Sequence, residues 1–276
     1  MKTSYLTKFA KSRLDSLELV DKKAYPEAEL SEKGLFSDRP KELSSFLSRK
    51  GSLVPNVLFE VKKASPTLGK ITEVNSVELC GDFIRCGAKA ISVLVDSANF
   101  GGHPNDIRDC VESFPELPFL WKDFVMTEYQ VRLAKHLGAS SVLLMTQLLE
   151  PKELIDLYEL ALALEVEPFV ETHTEEQLSF ALDLGARFIG INARDFEVSG
   201  LPIDLRTASR IVKAVGATWP EDKVLVAQSG IATADDLSSV LSGFSSESPD
   251  AVQIGSSVSG KNGMDQDLKR ALNLAI

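Results

Sequence analysis

Three cysteines among 276 residues (Cys80, Cys86 and Cys110) are too few and too irregularly spaced for a disulfide framework or a thiolate metal site. They are expected to be reduced thiols packed as small hydrophobes. The three histidines, His103, His136 and His173, share no metal-ligand spacing either, so neither a metal nor any other cofactor is expected. Positive charge is also in short supply. Lysine and arginine number 30 against 40 acidic residues, a net charge of −10. That balance argues against nucleic acid or an anionic membrane as partner, and a phosphorylated ligand would need a local cationic pocket. No apolar run approaches the ~18 residues of a membrane span, and the N-terminus has no apolar signal core. A cytoplasmic setting is therefore expected, with a monomer or weak homo-oligomer as the assembly. A GxGxxG loop is missing, which weighs against an open dinucleotide-binding sheet. Neither a linker nor a low-complexity tract divides the chain, so residues 1–276 are expected to form a single domain.

What is present is a regular alternation. Short apolar runs rich in β-formers recur as VLFEV (57–61), AISVLV (90–95), FLWK (119–122), SVLLM (141–145), PFVE (168–171), FIGIN (188–192), KVLVAQ (223–228) and AVQIG (251–255). Amphipathic stretches separate them. TEYQVRLAKHLGA closes at Gly138, PKELIDLYELALALE opens with proline at a first helical position, and TEEQLSFALDLGA has a threonine cap and ends at Gly185. Gly87-Ala88, Gly138-Ala139 and Gly185-Ala186 repeat one device, a helix stop followed by a strand start. Eight such units in a chain near the typical ~250 residues predict a parallel (β/α)₈ TIM barrel, with residues 1–50 as an extra N-terminal helical segment packed on it.

The polar residues then fall at the strand ends. FEVKKASPTLGK (59–70) places Glu60 and Lys62 two residues apart on one side of a strand that otherwise reads as buried. Burying either charge alone would be expensive. Lys122, Glu171, Asn192 with Arg194, Gln228 and Gly255-Ser256 occupy corresponding positions on other strands. In a barrel, the C-terminal strand ends converge on one mouth, where chemistry is carried. The turns QSGI (Ser229, Gly230) and GSSV (Gly255, Ser256) predict backbone N–H groups near a short helix N-terminus that would cradle a phosphate, with Lys62 and Ser65 alongside. Lys122 leaves an apolar strand beside a tryptophan. Burial disfavours its charged form and a neighbouring carboxylate favours it, so it is a candidate general acid or, alternatively, a Schiff-base lysine. Phe100, Phe124 and Phe196 could wall an aromatic ligand. His173 could orient Glu171 or be a plain loop residue, and His136 falls in a helix.

FEVKKASPTLGKI resembles the E-I-K-x-x-S-P-S-x-G opening of indole-3-glycerol phosphate synthases. The similarity continues in order through ISVLVDSANFGG, FLWKDFVMTEYQ, GASSVLLM, PFVETH, FIGINARDF, AQSGI and IGSS. It implies ring closure of the phosphosugar 1-(2-carboxyphenylamino)-1-deoxyribulose 5-phosphate with loss of CO₂ and water, without a cofactor. It further implies Lys122 as acid on the ribulose carbonyl and Glu171 as the proton-transfer partner in dehydration. Lys62 would sit at the phosphate or carboxylate end, with Glu60 positioning Lys122 and the sugar hydroxyls. Asn192 would hydrogen-bond substrate and Arg194 would hold the anthranilate carboxylate. Ser65, Ser229, Gly230, Gly255 and Ser256 would fall in the phosphate cradle. One departure matters: the usual E-S-G is Gln228-Ser229-Gly230 here. A neutral amide should weaken substrate orientation more than abolish chemistry. It leaves two alternatives, a lyase for a modified anthranilate and a phosphosugar-binding barrel without turnover.

Overall fold

Eight short strands close into one parallel barrel in which each strand pairs with its sequence neighbours and the last pairs with the first. In the computed structural model, which describes residues 4–30, 33–36, 42–49, 51–216, 219–244, 248–260 and 263–274, these are β1 (Asn56–Val61), β2 (Ala90–Leu94), β3 (Phe119–Lys122), β4 (Ser141–Met145), β5 (Glu167–Thr172), β6 (Phe188–Asn192), β7 (Val224–Gln228) and β8 (Ala251–Ile254). All eight expected runs are found, and their ends shift by a residue or so. They read as continuous apolar runs because strands of a parallel barrel are covered on both faces. Alternation sorts their side chains. Leu58, Leu120, Leu143, Phe169, Phe188 and Val226 meet inside the barrel. Phe59, Ile91, Trp121, Val142, Val170, Ile189 and Leu225 point outward under the helices. Each large apolar side chain so enclosed contributes about 1.5–3 kcal/mol.

The helices begin and end where the residues dictate. Asn75 and Thr174 cap Ser76–Arg85 and Glu175–Asp183 by accepting the N–H groups of Glu78 (2.9 Å) and Gln177 (3.3 Å). Pro151 opens Pro151–Ala163. Gly87, Gly138 and Gly185 all adopt positive φ, between 82° and 94°, which lets each helix turn into the strand that follows.

The N-terminal segment embraces the barrel at both ends. The helix Tyr5–Ser16 is capped by Ser4 and runs on, as the sequence pattern suggests, through helical residues to Ala24. A widened π turn, Leu17–Asp21, lies within this run. That turn ends at Asp21, whose carboxylate meets Arg13 at 2.5 Å. Arg13 also grips Asp123, which follows β3, with bonds of 2.7 and 2.9 Å from Nε and Nη2. All three side chains are buried. At the opposite end the short helix Leu43–Leu47 sends Leu43 and Leu47 into the barrel interior. There the Ser44 N–H donates to Glu167 at the start of β5 (2.8 Å). Of the expected N-terminal helical segment 1–50, residues 1–3, 31–32, 37–41 and 50 lie outside the described residues. Among the described residues no helix is long and apolar enough to cross a membrane, and no group of three or more histidine, cysteine or acidic side chains could hold a metal ion.

Candidate active site

The carboxyl ends of the strands surround a cavity of about 300 Å³. It is lined by Glu60, Lys62, Ser65, Phe100, Lys122, Phe124, Glu171, Asn192, Arg194, Phe196, Gln228, Ser229, Gly230, Gly255 and Ser256, whereas His136 and His173 are not part of its lining. Strand alternation does most of this work. Glu60, Lys122, Glu171, Asn192 and Gln228 are the last inward-facing positions of their strands, so the barrel collects them into one ring.

Two ion pairs dominate the ring. Glu60 and Lys62 form a close pair, and Lys62 Nζ also lies 3.4 Å from Ser256 Oγ. This is why a carboxylate and an ammonium close a buried strand: each supplies the other's partner at the mouth. The second pair crosses from β3 to β5, where Lys122 Nζ lies 3.4 Å from Glu171 Oε2. Glu171 is only 1% exposed and accepts two further bonds, from Asn192 Nδ2 (3.1 Å) and Gln228 Nε2 (2.9 Å). Burial pushes its carboxyl up, but Lys122, His173 and the two amides outweigh burial and hold it below the usual carboxylate range. His173 Nε2 lies 3.5 Å from Glu171 Oε1. Burial lowers the His173 pKa despite the nearby Glu171, so at neutral pH the imidazole is uncharged and Lys122 is the cation that keeps Glu171 ionised. His173 is a loop residue just after β5 whose side chain, 6% exposed, packs edge-on against Phe196 beside the ring.

The two small-residue turns stand side by side, tied by Ser257 Oγ donating to the Ile231 carbonyl (3.1 Å). Ser229 and Gly230 are both left-handed (φ 73° and 87°). After β8 the expected short helix is replaced by a hydrogen-bonded turn, in which the N–H groups of Val258 and Ser259 close on the Gly255 carbonyl. Glycine at 255 leaves room for the Glu60 carboxylate, which a Cβ there would displace. Ser65 sits on a small hairpin (Ala64–Ser65 with Gly69–Lys70) at the rim, its Oγ accepting from the Leu68 N–H at 3.0 Å.

Opposite lies an apolar wall. Phe124 stacks on Phe9 (5.9 Å) and meets Phe100 at 6.0 Å. Arg194 is anchored by donating to the Leu201 carbonyl (3.1 Å) and pairs with no carboxylate within 4 Å among the described residues. Burial lowers its pKa and Glu60 opposes that effect. Phe9, Asp96 and Gln253 also line the cavity and were missed from the sequence. Phe9 belongs to the N-terminal helix. Asp96, one residue beyond the AISVLV run, is pushed up to about 6 by burial and by Asp123, against the donors Asn99 and Ala98. Gln253 lies inside the run AVQIG, and its interruption of an apolar strand was the one available signal.

The arrangement offers a lysine–carboxylate pair for moving protons, an uncommitted guanidinium, backbone turns suited to an anion and an aromatic wall. Comparison with known proteins agrees. Residues 6–271 match the family model for indole-3-glycerol phosphate synthase. An indole-3-glycerol phosphate synthase of Legionella pneumophila is 35% identical over 236 residues, covering 85% of this chain and 86% of the relative. One from Aquifex aeolicus is 38% identical over 200 residues, covering 71% and 75%. Among solved structures, the N-acetylmannosamine-6-phosphate 2-epimerase of Clostridium perfringens superposes with a TM-score of 0.56 at 15% identity, covering 84% of this chain and 96% of that one, which is a likeness of fold alone.

Proposed function

The chain belongs to the indole-3-glycerol phosphate synthase family, and we propose that its mouth closes the indole ring of 1-(2-carboxyphenylamino)-1-deoxyribulose 5-phosphate. The observation that carries this reading is the Lys122–Glu171 pair, with a buried carboxylate held ionised beside an ammonium at the cavity edge. The substrate is an anion at both ends, and the cavity has a cation for each. Arg194, without a carboxylate partner among the described residues, takes the carboxylate of the aromatic ring. Lys62, Ser65 and the turns at Ser229-Gly230 and Gly255-Ser256 take the phosphate. The ring lies against Phe9, Phe124 and Phe100, which fixes its plane.

So held, the ring carbon that bears the carboxylate attacks the ribulose carbonyl. Lys122 donates a proton to the carbonyl oxygen, which becomes a hydroxyl. Carbon dioxide then leaves, and its bonding electrons restore the aromatic ring. Lys62 protonates the new hydroxyl, which departs as water, while Glu171 accepts the proton lost from the neighbouring carbon. Asn192 holds the Glu171 carboxylate in place, and Glu60, which pairs with Lys62 and not with Lys122 as the resemblance implied, aligns Lys62 and the sugar hydroxyls. Each step uses groups of this chain, and atoms balance as one CO₂ and one water lost. The direct test is the appearance of indole-glycerol fluorescence when the purified protein meets the anthranilate-deoxyribulose phosphate. A protein that binds this compound without forming the indole product would refute the proposal.

A further inference from the structure

In an eight-stranded barrel β1 and β5 lie on opposite sides, so the Glu60–Lys62 and Glu171–Lys122 pairs face each other across the mouth. They are nevertheless joined. Gln253 Nε2 donates to Glu60 Oε2 at 2.6 Å, Gln228 Nε2 donates to Gln253 Oε1 at 2.7 Å, and the same Gln228 nitrogen donates to Glu171 Oε2 at 2.9 Å. The path runs from β1 through β8 and β7 to β5 along the floor of the cavity, and both glutamines are buried.

We infer that Gln253 is a positioning residue of this site, and that with Gln228 it forms an amide bridge coupling the two lysine–carboxylate pairs. Three observations support this. The interior of β8 is otherwise apolar, and an amide buried there is costly unless all its bonds are made; those bonds go only to mouth residues. The amide orientations are fixed by the ends of the path. Turning Gln253 over would set its oxygen against Glu60, and turning Gln228 over would set its oxygen against Glu171, so both carboxylates dictate where the N–H groups point. Gln228 consequently donates twice through one nitrogen, and its Oε1 is left buried without a hydrogen-bond partner among the described residues. That atom occupies space available only because residue 190 is glycine. A buried unsatisfied oxygen is an unfavourable feature; it is retained because the nitrogen serves both neighbours. Each carboxylate then keeps its remaining lone pairs for its lysine and for substrate. Loss of the bridge acts on the placement of proton-transfer groups, and so on turnover more than on binding.

The inference rests on the proposed reaction for its kinetic part and has a second, independent readout. Gln253→Met keeps the side chain's length without its donors, and Gln253→Leu serves if that variant does not fold. Either should lower kcat roughly ten- to a hundredfold, the range for losing a hydrogen bond to a charged group, and change KM by less than about threefold. Combining Gln253→Met with Gln228→Met should cost little more than the worse single change, because both break one path. In the unliganded protein, the side-chain NH₂ protons of Gln228 should exchange slowly with water, and Gln253→Met should speed that exchange at least tenfold. Independent, multiplicative losses in kcat, an effect confined to KM, or unchanged exchange at Gln228 would each overturn the bridge. Absence of turnover in the unaltered protein would count against the reaction alone, and the exchange measurement would still decide the bridge.

Discussion

Replacing Lys122 by methionine removes an ammonium and little volume, so its consequences can be worked from the contacts of Glu171. That carboxylate is buried, and besides burial its charge is set at neutral pH by Lys122, the nearest cation, and by the amides of Asn192 and Gln228, while His173 is uncharged there. Removing one partner of a buried ion pair costs about 3–5 kcal/mol. Here Glu171 keeps two amide donors and Lys122 is partly solvated, so about 2–3 kcal/mol is expected. That corresponds to roughly 3–6 °C in Tm for a chain of this size. The pH dependence should change sign. In the unaltered protein the folded-state pKa of Glu171 lies below the ordinary glutamate value. Its contribution is therefore complete above that value and is lost as pH falls towards the lower folded one. Without Lys122, burial dominates and the folded pKa rises above the ordinary value. Glu171 then destabilises the fold at neutral pH, and stability recovers as pH falls through that raised pKa. Thermal denaturation between pH 4 and 8 shows this as a Tm deficit that shrinks on acidification. Turnover should fall by ~10² to 10⁴, the scale of a positioned general acid. A constant Tm deficit across this range, together with near-full turnover, would refute the assignment of both charges.

Two further outcomes follow from the geometry. Inorganic phosphate should compete with the phosphosugar substrate, and Gly255→Ala, whose Cβ would displace the Glu60 carboxylate beside Lys62, should weaken that competition severalfold; an unchanged inhibition constant would place the anion elsewhere. Arg13→Ala leaves Asp21 and Asp123 buried without their cation and should lower unfolding free energy by about 3–5 kcal/mol in denaturant titrations, with Arg13→Lys failing to restore it because an ammonium cannot reproduce the fork to Asp123. A lysine variant as stable as the parent would show that charge alone suffices.

The barrel was readable because its strands are short, apolar on both faces and punctuated by Gly-Ala stops, all of which are local properties. The mouth was readable for a related reason: inward-facing strand ends can be identified by counting residues once the strands are placed. Residues that depend on distant partners were not. Nothing near Arg13 in sequence announces Asp123, 110 positions away. Phe9 looks like any apolar residue of an amphipathic helix until Phe124 is beside it. Gln253 reads as a blemish in a strand, since its partners lie on β1 and β7. The π turn after Ser16 and the turn that replaces a helix after β8 likewise follow from backbone pairing that local sequence preference does not encode.

The hold of the N-terminal segment on both ends of the barrel also bears on the order of folding. Its two anchors join residues 110 and 123 positions apart, Arg13 to Asp123 and Ser44 to Glu167. Contacts this distant in sequence must overcome loop-closure entropy before they return any stability, so they form after local strand–helix pairing. This segment must therefore wait until β3 and β5 exist before it can dock. Its docking supplies Phe9 to the aromatic wall and fixes Asp123, the residue next to Lys122. A barrel can thus be closed and strand-paired while its mouth is still incomplete, and competence for chemistry arrives as the closing event of folding.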